Sequence, residues 1–238
     1  MRTREGGSGS RPGTFTQARR RDQLVDCAIG AIAELGFARA SVAEVARRAG
    51  VSKGVVTYHF PAKDDLIGAV IGDVIGSMAE HLSARLAAAQ PETFPERFVA
   101  AYIGAWVEYY RGHARELFAL VSIYNTFRDE AGRWHPAFAV RADEVAAAAE
   151  VLALGQTTGK LGSFDTSVMA AVMKAALDDL LTQFADNPGL DLDAYGAELT
   201  VLFQRATGPD PQHDEGCDGD EAVIHPHPAQ AATTQEER

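Results

Sequence analysis

The stretch Ser41 to Leu66, SVAEVARRAGVSKGVVTYHFPAKDDL, admits few folds. Ser41 followed three residues later by Glu44 has the spacing of a capping box, in which the hydroxyl accepts an unpaired helix N–H and the carboxylate reaches back. A helix is therefore predicted from Val42. Its stripe is Val42, Val45, Ala46 and Ala49, at i, i+3, i+4 and i+7, with Arg47 and Arg48 off that stripe in solvent. Gly50 stops the helix because it takes the left-handed conformation without strain, and Ser52 caps a second short helix. A turn this short between two helices has the length of a helix-turn-helix unit.

On the second helix, Val56 and Phe60 share an inward face at i, i+4. The opposite arc holds Gly54, Val55, Thr57 and Tyr58, flanked by Lys53 and His59. Donors around one apolar side chain suit a DNA major groove. Lys53 would donate to a guanine edge or a phosphate, Val55 would touch a thymine methyl, and Gly54 would let the backbone approach. Thr57, Tyr58 and His59 would hold phosphates. Pro61 ends this helix, and Lys63 falls in the first turn of the next, where ammonium and helix terminus would share a phosphate. The candidate DNA contacts are thus Ser52, Lys53, Gly54, Val55, Thr57, Tyr58, His59 and Lys63.

The order Leu24, Cys27-Ala28, Ile32, Gly36-Phe37, Ser41, Val45-Ala46, Ala49-Gly50-Val51-Ser52, Gly54, His59-Phe60, Lys63, Leu66 resembles the DNA-binding domain of the TetR (tetracycline-repressor-like) family. One departure is Thr57, where members usually carry a phosphate-contacting tyrosine; the contact is carried to Thr57 and shared with Tyr58. The resemblance implies an all-α protein, with an N-terminal three-helix DNA-binding domain and a C-terminal helical domain for ligand binding and dimerisation. It also implies that ligand binding tilts the helix after Lys63 and respaces two recognition helices.

Charge divides along the same line. Residues 1–63 carry eleven Lys+Arg against five Asp+Glu, whereas the remainder carries eleven against twenty-eight and brings the net to −11. A basic module on an acidic body fits a DNA reader with a separate second function. The expected organisation is an arm at 1–13 that is Gly/Ser-rich and disordered, a DNA-binding domain at 14–63, an effector and dimerisation domain at 64–208, and a disordered acidic tail at 209–238. Thr14 or Thr16 caps a first helix with the stripe Leu24, Cys27, Ala28, Ala31, Ile32 and Leu35, ending at Gly36. Cys27 and Cys217 have no disulfide or metal spacing, and His213, Cys217, His225 and His227 match no metal site. No leader or apolar run long enough to span a bilayer is found, so the expected location is the cytoplasm.

A long helix follows from Lys63 to about Ala89, with rows at Leu66, Val70, Val74, Met78, Leu82, Leu86 and at Ile67, Ile71, Ile75. Two adjacent rows are too wide for one contact, so the helix is expected to pack against both domains and act as a lever. Beyond Pro91 and Pro95, residues 94–138 gather most of the chain's rings. Phe98, Tyr102, Trp106, Tyr109, Tyr124, Phe127 and Phe138, with Glu108 and Asn125, are the candidate effector contacts, suiting a lipophilic or aromatic molecule.

Asp165 and Asp191 cap the last two helices. These resemble the pair that builds the family's intersubunit four-helix bundle, so Met169, Val172, Met173, Ala176, Leu180, Leu199 and Phe203 are the expected homodimer contacts. Two helix-turn-helix units about one turn apart read an inverted repeat. An enzyme would need a nucleophile with a base, a phosphate loop or a metal motif, and GxSxG, GxxxxGK[ST] and HExxH are all absent. No catalytic residue, cofactor or resident metal is expected. The reading is a dimeric regulator, a repressor released from double-stranded DNA by a small molecule; the alternative is a DNA-binding regulator controlled by a protein partner, or an activator.

Overall fold

The structure is a computed structural model describing residues 12–90, 94–127 and 141–209. Among these residues it is all helical: α1 (Pro12–Leu35), α2 (Val42–Ala49), α3 (Lys53–His59), α4 (Lys63–Ala89), a 3-10 turn (Pro95–Arg97), α5 (Phe98–Gly112), α6 (Ala114–Thr126), α7 (Arg141–Thr157), α8 (Thr166–Asp186) and α9 (Leu192–Thr207). The expected arm lies outside the described residues except for Pro12 and Gly13, which open α1, and the expected tail lies outside them after Pro209. Thr14 and Thr16 sit inside α1 rather than at its cap, because Pro12 starts the helix earlier. Asp165 and Asp191 cap as expected, accepting from Val168 N and Ala194 N, each at 2.9 Å.

Two hydrophobic cores share α4. The first joins Leu24, Ile29 and Ile32 of α1, Val45 of α2, Val56 of α3, Phe60, and Leu66, Val70 and Val74 of α4. It runs past residue 63 and also takes Ala119, Leu120 and Ile123 of α6. The second joins Met78 and Leu82 of α4 to Tyr102 and Trp106 of α5, Leu152 of α7, Leu177 and Leu180 of α8, and Phe203 of α9. Ile75 packs against both. Burying one such side chain contributes roughly 1.5–3 kcal/mol, so α4 cannot leave either core without unfolding it.

Length and mean hydropathy alone would let α4 cross a bilayer. Its apolar rows instead face two protein cores, while Asp73, Glu80 and Arg85 are exposed. The helix is the shared spine of a globular fold.

Candidate functional site

Ser41 Oγ accepts the Glu44 N–H at 3.2 Å, but the reciprocal half of the capping box is not made. Ser41 N donates to Arg39 O instead. The Glu44 carboxylate turns to Arg47 (2.7 and 2.8 Å) and Arg48 (2.8 Å). These two guanidiniums hold its carboxyl down at about 2. Arg48 is therefore not in solvent: it is half-buried and also bonds Glu34 of α1 at 2.7 Å, tying α2 to α1.

Gly50 takes φ 66°, and the N–H groups of Gly50 and Val51 close on Arg47 O and Ala46 O. This pair of bonds sets the turn. Ser52 stands at the α3 cap in an extended conformation, but its hydroxyl makes no capping bond. It is left on the exposed surface beside Lys53 and Gly54.

Val56 and Phe60 are buried at 0% and 3% exposure, which turns Lys53, Gly54, Thr57 and Tyr58 outward, with Val55 and His59 half-buried at the edges. Tyr58 is 70% exposed. Its hydroxyl accepts from Gln17 of α1 at 3.4 Å, leaving the phenolic proton to donate outward. The His59 ring meets the Tyr58 ring edge-on at 5.2 Å. Thr57 Oγ1 donates back to the Lys53 and Gly54 carbonyls, both at 3.2 Å. Its proton is spent on the helix, so a phosphate at this arc falls more naturally to Tyr58.

Lys63 is exposed, with Nζ 4.4 Å from the centre of the Phe37 ring. Asp64 and Asp65 occupy the same first turn, and Asp65 accepts the Ala62 N–H at 2.9 Å. The helix end is thus already answered by carboxylates, and the positive charge here is the lysine's own. Sequence reasoning missed two supports from α1: Gln17 against Tyr58, and Arg21, whose guanidinium lies 4.8 Å from the centre of the Phe60 ring.

Residues 24–70 match the model of the bacterial regulatory proteins, tetR family. This stretch is thus a DNA-binding domain of the TetR type. The chain is 40% identical over 60 residues to the HTH-type transcriptional regulator BetI of Serratia proteamaculans, covering 25% of this chain and 30% of that one. It is 44% identical over 55 residues to BetI of Escherichia coli, covering 23% and 28%. The matched stretch is thus under a third of the length of these curated relatives. Solved structures carry the fold further. The SmeT-triclosan complex superimposes with a TM-score of 0.64 at 20% identity, covering 87% of this chain and all of that one. NalD of Pseudomonas aeruginosa, described as the secondary repressor of the MexAB-OprM multidrug efflux pump, gives 0.63 at 18% identity over 81% of this chain and 99% of its own.

Beyond this domain the expected effector residues separate. Phe98, Tyr102 and Trp106 form one buried file along α5 with Tyr110, neighbouring rings being 5.3, 6.2 and 5.6 Å apart. Tyr109 faces the other way, donating to Val74 O of α4 at 3.2 Å and stacking on His113 at 4.0 Å. Glu108 is not in the file; it pairs with Arg85 at the surface, which lowers its carboxyl pKa. Tyr124 and Asn125 are exposed at the end of α6, and Phe127 packs edge-on against Phe37 at 5.6 Å, in the DNA-binding domain's core. Phe138 lies outside the described residues.

A buried lysine was missed. Lys174 of α8 is 6% exposed, ion-paired with Asp178, 3.9 Å from Glu144 of α7, and 4.5 Å from the centre of the Trp106 ring. The signal was its place on the α8 stripe between Ala170 and Leu177.

The expected dimer residues also need correction. Met173, Leu180 and Phe203 are buried in the protomer's own core, and Met169, Ala176 and Leu199 pack partly against it. Only Val172 of that set is well exposed, at 51%. The most apolar stripe of each helix goes to its own core, and the outward face left over carries Val168 and Val172 of α8 with Val201 and Leu202 of α9.

Proposed function

We propose that the protein is a homodimeric transcriptional repressor that binds an inverted-repeat operator in the cytoplasm and is released by a small lipophilic or aromatic effector. One observation carries the reading: α4 begins beside the recognition helix, with Leu66 to Val74 in the DNA-binding core, and ends with Met78 and Leu82 in the core that contains the α5 rings. At 1.5 Å per residue its 27 residues span roughly 40 Å. A displacement of the α5 to α8 packing reaches α3 through a helix that belongs to both bodies. α6 supplies a second link, with Ser122 and Ile123 against the DNA-binding domain.

The DNA contacts are Ser52, Lys53, Gly54 and Val55 toward the groove, with Tyr58, His59 and Lys63 on the phosphates and Thr57 subordinate. The exposed valines and leucine of α8 and α9, continuous with an apolar groove at Leu190, Ala194, Tyr195 and Leu199, are the dimer face. A two-fold pair then presents two α3 helices to one face of a duplex. Two relatives in fold support an effector role: one was solved with triclosan, and another is described as the repressor of a multidrug efflux pump.

Selection of genomic DNA fragments by the purified protein, followed by anisotropy on the recovered fragments across a salt series, tests the reading. Enrichment of one inverted repeat supports it. Recovery of no common sequence, with weak binding that vanishes at moderate salt, overturns it.

A further inference from the structure

Arg47, Arg48, Arg85, Arg111 and Arg115 each lie in an ion pair with a carboxylate. Arg21 of α1 does not. It is exposed, makes no ion pair or hydrogen bond among the described residues, and lies with its guanidinium 4.8 Å from the centre of the Phe60 ring. Phe60 caps the end of α3 and is 3% exposed, so the ring is held by the core beneath it. A cation is attracted to such a face, and a planar guanidinium over a ring keeps its fork of N–H groups free at the edge, in the geometry that fits a phosphate. Lys63 Nζ over Phe37 repeats the arrangement at the start of α4. Both cations rest on rings of the DNA-binding core instead of on carboxylates.

Charge on α1 is divided by face. Asp22 and Asp26, one turn apart, lie near Asp73 of α4 and Glu116 of α6: burial raises the Asp73 carboxyl pKa, and these three carboxylates add to the rise. Arg115 answers Asp26 on that side. Gln17 and Arg21, also one turn apart, meet α3 instead. Gln17 Nε2 donates to the Tyr58 hydroxyl at 3.4 Å, and Arg21 covers Phe60. This basic edge of α1 therefore stands beside Tyr58, the α3 side chain assigned to a phosphate.

We propose that Arg21 is a further phosphate contact, and that α1 lays a second strip along the DNA backbone next to α3, with Gln17 holding Tyr58 and Arg21 holding a neighbouring phosphate. This rests on the reading of α3 as the helix that enters the groove. A guanidinium fixed on a ring outside the groove-facing arc supplies affinity and leaves sequence preference unchanged.

The test titrates the full chain by anisotropy onto a duplex of random sequence across a salt series. Arg21→Ala is expected to weaken binding roughly five- to tenfold at about 0.1 M salt and to reduce the salt slope by about one unit. Arg21→Met keeps an apolar stem over Phe60, and is expected to reproduce the slope change with a smaller loss of thermal midpoint. Arg205→Ala removes the same charge from the exposed surface of α9 and is expected to leave the slope unchanged. A merely structural Arg21 would lower the thermal midpoint without moving the slope. An unchanged slope in both Arg21 variants, a slope change matched by Arg205→Ala, or an altered sequence preference in fragment selection overturns the proposal. The random duplex separates the two readings. Loss of slope in the Arg21 variants with no operator recovered sinks the repressor reading and leaves the contact standing. An operator recovered, with slopes unchanged in those variants, does the reverse. Absence of duplex binding by the natural chain overturns both.

Discussion

The backbone N–H of Phe37 donates to Ser122 Oγ at 2.9 Å, joining the end of the first helix to α6 across 85 residues of sequence. Phe37 is also the residue whose ring lies beneath Lys63 and meets Phe127 edge-on. The residue that supports a proposed phosphate contact is thus held by the helix that belongs to the second domain. Ser122→Ala leaves a half-buried N–H unsatisfied and is expected to lower stability by about 1 kcal/mol in urea unfolding. An unchanged midpoint would mean that the bond contributes nothing to the joint.

The role proposed for Lys63 is to position rather than to specify, because it lies outside the α3 arc and its ammonium rests over the Phe37 ring. Lys63→Ala is expected to weaken cognate and random DNA alike and to reduce the salt slope by about one unit. A changed sequence preference in that variant would refute the assignment.

Lys53 and Tyr58 project from the outward arc of α3. Lys53→Ala is expected to cost about 1–3 kcal/mol on the cognate site and less on random DNA, and Tyr58→Ala to weaken both alike. Equal losses on both by anisotropy in Lys53→Ala would remove Lys53 from the set that reads sequence. Thr57→Ala is expected to cost less than Tyr58→Ala, since its hydroxyl is turned back onto the helix.

The helix-turn-helix was legible because its signals are local: a serine cap, a glycine stop and a three-residue turn act on neighbours in the chain. The expected bounds of α4 coincide with the observed Lys63–Ala89 for the same reason. What the sequence hid depends on tertiary choice. Glu44 had two candidate partners, the Ser41 N–H and the arginines, and the guanidiniums won because each pairs charge with charge. The aromatic run could not say which rings shared a face, since Tyr109 and Tyr110 are adjacent yet bond α4 and α8 in opposite directions. On α8 and α9 the strongest apolar stripe was read as the dimer face, whereas it fills the protomer's own core.

Glu44 makes stability depend on acid. Its folded-state pKa, about 2, lies below the ordinary glutamate value of 4.5, so its contribution is present above about 4.5 and is lost as pH falls toward 2. The difference in urea midpoint between the natural chain and Glu44→Gln is expected to be constant near neutrality and to close through that window. A difference that persists at the acid end would assign the effect to packing instead of charge.

Gly196 and Gly104 make opposite predictions within one shallow cleft between α5 and α9. A Cβ on Gly196 would stand 2.6 Å from Val107 Cγ2, inside any real contact distance, and valine is stiff at χ1. The two helices must part, at a cost of roughly 1–3 kcal/mol that outweighs the gain of up to about 1 kcal/mol in helix propensity. A Cβ on Gly104 meets nothing within 4 Å, so only the propensity term remains. Gly196→Ala is therefore expected to lower the thermal midpoint and Gly104→Ala to raise it, in parallel calorimetric scans. A rise in both would mean that α9 shifts on α5 freely, and that the close approach at Gly196 is not what fixes their spacing.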